Sequence, residues 1–242
     1  MSAAGESILA SLAVVAAERA RRANVAGFAT RVAALKGFQQ RRFSHTYADL
    51  LASARYGAVA RFFLDELYGP NDFTRRDAQF ARMVPAMVRL FTSDVVETVA
   101  TVSGLHALTE TLDTAMAEHL DGDGVGATDY VRAWQAVGRP AERERQIAMT
   151  VDVAERLDRL VRKPLLGSGL RLMRGPARAA GLTELHRFLE SGFETFREMK
   201  GASEFIAMVT TREHALAAAL FGADLDGASV GRSPEHALAL LP

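Results

Sequence analysis

Apolar residues along this chain recur at three- and four-residue steps, the period of helices with one buried face. Ile8, Leu12 and Val15 open the first stripe, and Val25, Phe28, Val32 and Leu35 prolong it across Gly27, where a bend is expected. Thr46 and Asp49 have capping-box spacing, and the helix they would start carries Leu50, Leu51, Ala54, Ala58 and Phe62. Gly69 and Pro70 stop it, because glycine accepts the left-handed conformation past a helix end and proline cannot extend the hydrogen-bond ladder. A second box, Thr74 with Asp77, starts a helix that contains Pro85 and should bend there. Ser93 is placed to cap a long helix carrying Val95, Val99, Val102, Leu105, Leu112 and Met116, which ends at the linker "DGDGVG".

Helices around 128–137 and 141–163 follow, then a short one within "KPLLGSGLRLMRGP". Thr183 caps the next, whose one face holds Leu185, Phe188, Leu189, Gly192, Phe193, Phe196 and Met199; Gly192 on that face would let a neighbouring helix approach closely. Gly201 ends it, Ser203 caps the last helix, and Gly222 ends that one. β-branched residues and alternating runs are scarce, and there is no internal repeat, sustained heptad pattern or convincing strand pair. The expected fold is all-α, an irregular bundle of about seven to nine helices over residues 1–222, with a flexible C-terminal tail over 223–242.

Composition narrows the chemistry. A chain of 242 residues sustains a core without staples, and it contains no cysteine, which excludes disulfides, zinc thiolates, iron–sulfur ligation and cysteine nucleophiles. Near the N-terminus the apolar run is preceded by Glu6 and followed by Arg19, Arg21 and Arg22, the wrong polarity for a secretion signal. That run is also too short to cross a bilayer, so a cytoplasmic protein is expected.

Lys plus Arg and Asp plus Glu balance at 29 each, which gives no net pull toward nucleic acid or anionic lipid. The charges are nevertheless segregated. Arg19 to Arg42 contains seven basic residues and no acid, Arg159 to Arg178 six and no acid, and between Arg89 and Arg132 lie eight acids and no Lys or Arg. Either the acidic helix packs near the basic segments and the field cancels internally, or a basic face meets an anionic partner. Residues 159–178 mix arginine with Leu165, Leu166, Leu170, Leu172 and Met173, which suits a membrane surface or an acidic protein. Nucleic acid is disfavoured because stacking aromatics are missing there.

The most organised stretch is "RFFLDELYGPNDFTRRD", residues 61–77. Arg61, Asp65, Glu66, Tyr68, Asp72, Arg76 and Asp77 are its candidate binding residues. Each also has a structural reading: Arg61 and Asp65 pair along a helix, the Tyr68 ring packs in the last turn, and Asp72 or Thr74 satisfies free N–H groups of the next helix. A helix–turn–helix corner therefore outweighs a reactive site here. The alternative is an enzyme with Glu66 as base and Arg76 as anion clamp.

The segment "FFLDELYGP", followed by "DF" and "RD", resembles the bacterial family named after its FFLEELY motif, departing from it only at Asp65, where a shorter acid replaces glutamate. The likeness extends through "GLTELHRFLESGFETFREMKGASEFI". That resemblance implies one complete bacterial protein; the family is uncharacterised and brings no activity, cofactor or catalytic residue.

Other motifs fail on their ligand sets. "DGDGVGATD" places Asp121, Asp123 and Gly126 as a calcium loop would, but Val125 stands at the fifth position and Arg132 replaces the twelfth-position glutamate. The six histidines lack zinc-helix spacing, and no Glu-x-x-His occurs, which sets aside a di-iron bundle. His186 and Glu190 share a helix face, and His106 borders an apolar one, a weak basis for a haem ligand. The glycines of "LLGSGLRLMRG" follow no strand and precede no Gly-Lys-Ser/Thr, so no phosphate loop is formed. No metal or cofactor is therefore assigned. What remains is a non-enzymatic binding or interaction protein for a protein partner or a small apolar ligand, with the corner enzyme and peripheral membrane attachment through 159–178 as alternatives.

Overall fold

In the computed structural model, which describes residues 2–66, 73–122, 124–225 and 234–242, the periodic stripes become thirteen helices, with no strand among those residues. They are α1 (Ala3–Ala23), α2 (Phe28–Thr46), α3 (Ala48–Ala52), α4 (Gly57–Glu66), α5 (Thr74–Leu90), α6 (Ser93–Ala117), α7 (Ala127–Val137), α8 (Pro140–Val161), α9 (Pro164–Leu172), α10 (Arg174–Ala179), α11 (Thr183–Glu198), α12 (Ser203–Gly222) and α13 (Glu235–Ala239). The expected count of seven to nine is exceeded because long stripes are cut locally.

At Gly27 the chain takes φ +74° and starts a new helix rather than bending, and Val25 is left about half exposed. The helix expected from Thr46 through Phe62 is interrupted at Ser53, whose hydroxyl accepts the N–H groups of Arg55 and Tyr56. "KPLLGSGLRLMRGP" forms two short helices, α9 and α10, instead of one.

Several expected local caps are replaced by remote partners. Asp49 pairs with Arg212 of α12 instead of closing a box with Thr46, and Asp77 turns to Arg19 and His106 instead of capping α5. The Leu185 N–H in the first turn of α11 donates to Oε1 of Gln79 in α5, and the Ala202 N–H ahead of α12 donates to Oδ1 of Asp158 in α8. Free helix-end donors are still satisfied, by side chains distant in sequence. Pro85 sits inside α5 without ending it. The Gly69–Pro70 stop lies outside the described residues, flanked by the end of α4 and the start of α5.

α6 is the axis of the bundle. Of its residues from Thr98 to Ala117 none is exposed, because α1, α2, α5, α7 and α8 surround it. Three apolar clusters make the core, the first and third including residues of α6 and the second lying to one side of it. One joins Phe28, Val32, Leu35 and Phe38 of α2 to Tyr130 and Trp134 of α7 and Leu216 and Leu220 of α12. A second joins Phe43, Tyr47, Val59 and Phe63 to Phe196, Met199 and Phe205. A third holds Ile8 and Leu12 of α1 against Val84, Met87 and Val96.

Gly192 of α11 lies against the Phe62 ring: a Cβ there would stand 2.9 Å from the ring carbon Cζ, so the expected close approach is made by α4. Leu189, expected on the buried face, is partly exposed. The tail expected to be loose is packed at its end, where Ala237 of α13 and Leu241 are buried, the latter within the first cluster. No helix among the described residues is long and apolar enough to cross a membrane.

Candidate functional site

Between the first two apolar clusters lies a cavity of about 120 Å³. α2, α6, α7, α8 and α12 form its walls, and Phe63 of α4 with Phe73 and Arg76 at the start of α5 reaches it from another side. Its lining is mixed. Phe43, Phe63, Val151, Phe205, Ile206 and Val209 supply an apolar part, while Lys36, Arg42, Glu110, Asp113, Arg143 and Glu213 bring charges into the interior.

The charged groups exist there because α6 carries His106, Thr109, Glu110 and Asp113 at helical spacing on one face, and that face is turned inward. Glu110 is buried between two cations: Arg22 of α1 donates to its Oε2 at 2.5 Å and to its backbone oxygen at 2.6 Å, and Lys36 of α2 donates to its Oε1 at 2.5 Å. Arg22 also donates to Thr114 Oγ1. Burial pushes the Glu110 carboxyl up, but Lys36 and Arg22 outweigh it and hold it at about 2.

Asp113, one turn on, differs. It accepts a 2.8 Å hydrogen bond from the neutral amide of Gln39, and burial pushes its carboxyl above the usual range. On the α12 side, Glu213 accepts from Arg42 at 2.5 Å and from the Tyr47 hydroxyl at 2.7 Å.

Arg143 of α8 is the exception. It is 4% exposed, and no carboxylate among the described residues lies within salt-bridge distance. Its guanidinium donates to Gln146 Oε1 at 3.1 Å and to the Met116 sulfur at 2.9 Å, and it lies 3.9 Å from the centroid of the Trp134 ring. Burial lowers its pKa from the ordinary arginine value. Trp134, also in the lining, has an indole N–H that is buried with no hydrogen-bond partner among the described residues.

The residues singled out at 61–77 fall in three places. Arg76 reaches the cavity wall, held between the rings of Phe73 at 3.9 Å and Phe188 at 4.6 Å, and donates to the Glu66 backbone oxygen. The Glu66 carboxylate is 3.9 Å from it. Asp77 sits beside Arg76 and binds Arg19 at 2.7 Å and His106 Nε2 at 3.1 Å. Burial raises the Asp77 carboxyl, but His106 and Arg19 prevail and lower it. Arg61 instead donates to the Leu51 backbone oxygen on an exposed face, and Asp65 is exposed. Tyr68 and Asp72 lie outside the described residues.

Among the described residues no group of His, Asp and Glu is arranged to hold a metal. Asp123 of the calcium-like loop is outside them; the Gly126 N–H in that loop donates to Asp129 Oδ2 at the start of α7. The His186 ring is turned to the Leu170 backbone oxygen at 2.8 Å, with Glu190 taken by Arg174.

The fold and cavity define an all-helical domain with buried and half-buried charged groups around an internal cavity. The chain belongs to the family described as "Domain of unknown function (DUF8198)", whose model matches residues 18–227. No curated protein and no solved structure matches the chain.

Proposed function

We propose that this protein is a non-enzymatic binding protein that holds a small ligand with a largely apolar body in the cavity between α2, α6, α7, α8 and α12. The observation that carries this reading is the cavity itself, about 120 Å³ between two apolar clusters of the bundle. Protein interiors have few voids larger than a water molecule, and an unfilled one of this size costs on the order of 3 kcal/mol. A ligand site is the economical reason to keep such a space, lined by aromatic and aliphatic side chains with a few polar groups among them. The test is native mass spectrometry of the purified protein after exposure to a lipid and metabolite extract, alongside melting curves. A bound small molecule and a raised melting temperature are expected; a protein that emerges bare and unshifted overturns the reading. Val209→Phe, which fills the apolar part, should abolish the bound mass while the protein stays helical.

A second reading, attachment to an anionic membrane surface through residues 159–178, is favoured by one observation. Leu165 and Leu172 are 83% and 80% exposed beside Lys163, Arg171, Arg174 and Arg178. The enzymatic reading of the 61–77 corner is narrower: Glu66→Gln is expected to leave the melting temperature almost unchanged, and a changed ligand response in that variant would be its support.

A further inference from the structure

The charges lining the cavity do not balance. Lys36, Arg42, Arg76 and Arg143 stand against Glu110, Asp113 and Glu213. Glu110 is shared by Lys36 and Arg22, Glu213 is bound by Arg42 and Tyr47, and Arg76 lies beside Glu66 and Asp77. Asp113 is hydrogen-bonded to Gln39; it and Arg143 feel each other's charge, but no carboxylate oxygen among the described residues comes within 4 Å of the Arg143 guanidinium. Arg143 therefore keeps a buried guanidinium whose contacts are an amide oxygen, a thioether and an indole face. Each of those solvates a cation; none neutralises it. A charge left buried without a counter-ion is among the most destabilising arrangements in a protein interior. Arginine's planar fork matches carboxylate geometry and loses little on desolvation when an anion meets it.

We propose that Arg143 is the anchoring cation for a small organic carboxylate whose apolar body lies along Ile147, Val151 and Val209 of the same cavity. This rests on the reading of the cavity as a ligand site and adds the chemistry of the ligand's polar end. Size restricts the body: an engineered 150 Å³ apolar cavity holds benzene, so a space of about 120 Å³ admits a body smaller than an aromatic ring, the chain of a short aliphatic acid. The site supplies its own reporter, because Trp134 is the only tryptophan of the chain and lies against the Arg143 guanidinium.

The experiment titrates the full-length protein, followed by Trp134 emission and by calorimetry, with butyrate and pentanoate and with their uncharged counterparts butanol and pentanol. The acids should bind at least about tenfold more tightly than the alcohols, the difference expected of a charge-assisted pair. Arg143→Met should remove that preference while alcohol binding changes less than about twofold, and Arg143→Lys should restore part of it. The ligand-free Arg143→Met protein should melt at the same temperature as the wild type or higher, since an unneutralised buried charge has been removed; a merely structural arginine would give a lower one. If Arg143→Met does not fold, the wild-type comparison of acids with alcohols decides alone. Alcohols that bind as well as acids overturn the proposal and leave the ligand site standing. No binding by acids, alcohols or extract overturns both.

Discussion

Glu110 is the residue on which the interior's electrostatics turn. Two buried or half-buried cations, Arg22 and Lys36, converge on one carboxylate, so removing that charge strands both. Glu110→Gln is expected to cost about 3–5 kcal/mol, a fall in melting temperature on the order of 10 °C. The pH dependence follows in sign. The folded-state value of about 2 lies below the ordinary 4.5, so the stabilisation is complete above about pH 4.5 and is lost as pH falls toward 2. That difference corresponds to roughly 3 kcal/mol. Acid unfolding monitored by circular dichroism should therefore steepen over this interval in the wild type and flatten in Glu110→Gln.

Asp113 runs the other way. Its folded-state value is raised, so its ionisation opposes folding, and this penalty is absent at low pH and grows as pH rises past 3.8. Asp113→Asn removes the penalty and keeps a partner for Gln39, and calorimetry at pH 7 should find it as stable as the wild type or more so. Asp49 is also held at about 2, by Arg212, but its side chain is 58% exposed; solvent screens that pair, and Asp49→Asn should cost less than about 1 kcal/mol. These residues were only partly legible in the sequence. Glu110 and Asp113 stood out as part of an acidic block, and Arg22, Lys36 and Arg42 as part of a basic one, so internal cancellation was a readable option. Arg143 and Glu213 carried no local signal, because their roles depend on contacts made across the bundle.

At the scale of elements, the three- and four-residue period located the helices, and turn chemistry located many of their ends. Where expectation failed, a tertiary partner had taken the capping group. Asp49 was drawn to Arg212, Asp77 to Arg19 and His106, while Gln79 and Asp158 cap helices to which they do not belong. A capping box measures a local preference worth about 1 kcal/mol, and a well-placed ion pair or a buried donor in need competes with it on equal terms. α6 shows the same priority of tertiary partners, and its packing against the basic segment is one of the two options its charges allow. From Thr98 onward neighbouring helices leave α6 no solvated face, and its polar stripe of His106, Thr109, Glu110 and Asp113 faces the cavity. Gly192 is legible in the sequence because its reason is steric. Gly192→Ala sets a methyl 2.9 Å from Phe62, whose ring stacks on Phe188 at 5.5 Å between centroids. Overpacking costs about 1–3 kcal/mol against about 1 gained in helix propensity, so chemical denaturation should show a net loss on the order of 1 kcal/mol.

For the whole molecule, the segregated charges resolve differently in the two basic segments. Within 19–42, Arg19, Arg21, Arg22, Lys36 and Arg42 pair with Asp77, Glu118, Glu110 and Glu213, so most of that field closes inside the fold. Within 159–178, Arg162, Lys163 and Arg174 pair with Asp158, Asp94 and Glu190, while Arg171 and Arg178 have no carboxylate within 4 Å among the described residues. These cations flank Leu165, Leu172 and Met173, which are open to solvent. An anionic surface gains about 1 kcal/mol per juxtaposed basic residue, and two inserted leucines add a few more, which amounts to weak and reversible attachment. Flotation with phosphatidylserine-containing vesicles should recover a minor fraction of the protein at low salt and none at high salt, where screening shortens the reach of the arginines. Neutral vesicles should recover none at either. Leu165→Glu with Leu172→Glu should abolish the low-salt fraction without changing the melting temperature, because neither side chain contributes to the core. Recovery that ignores salt, or that survives the double substitution, would return α9 and α10 to an ordinary solvated edge of the bundle.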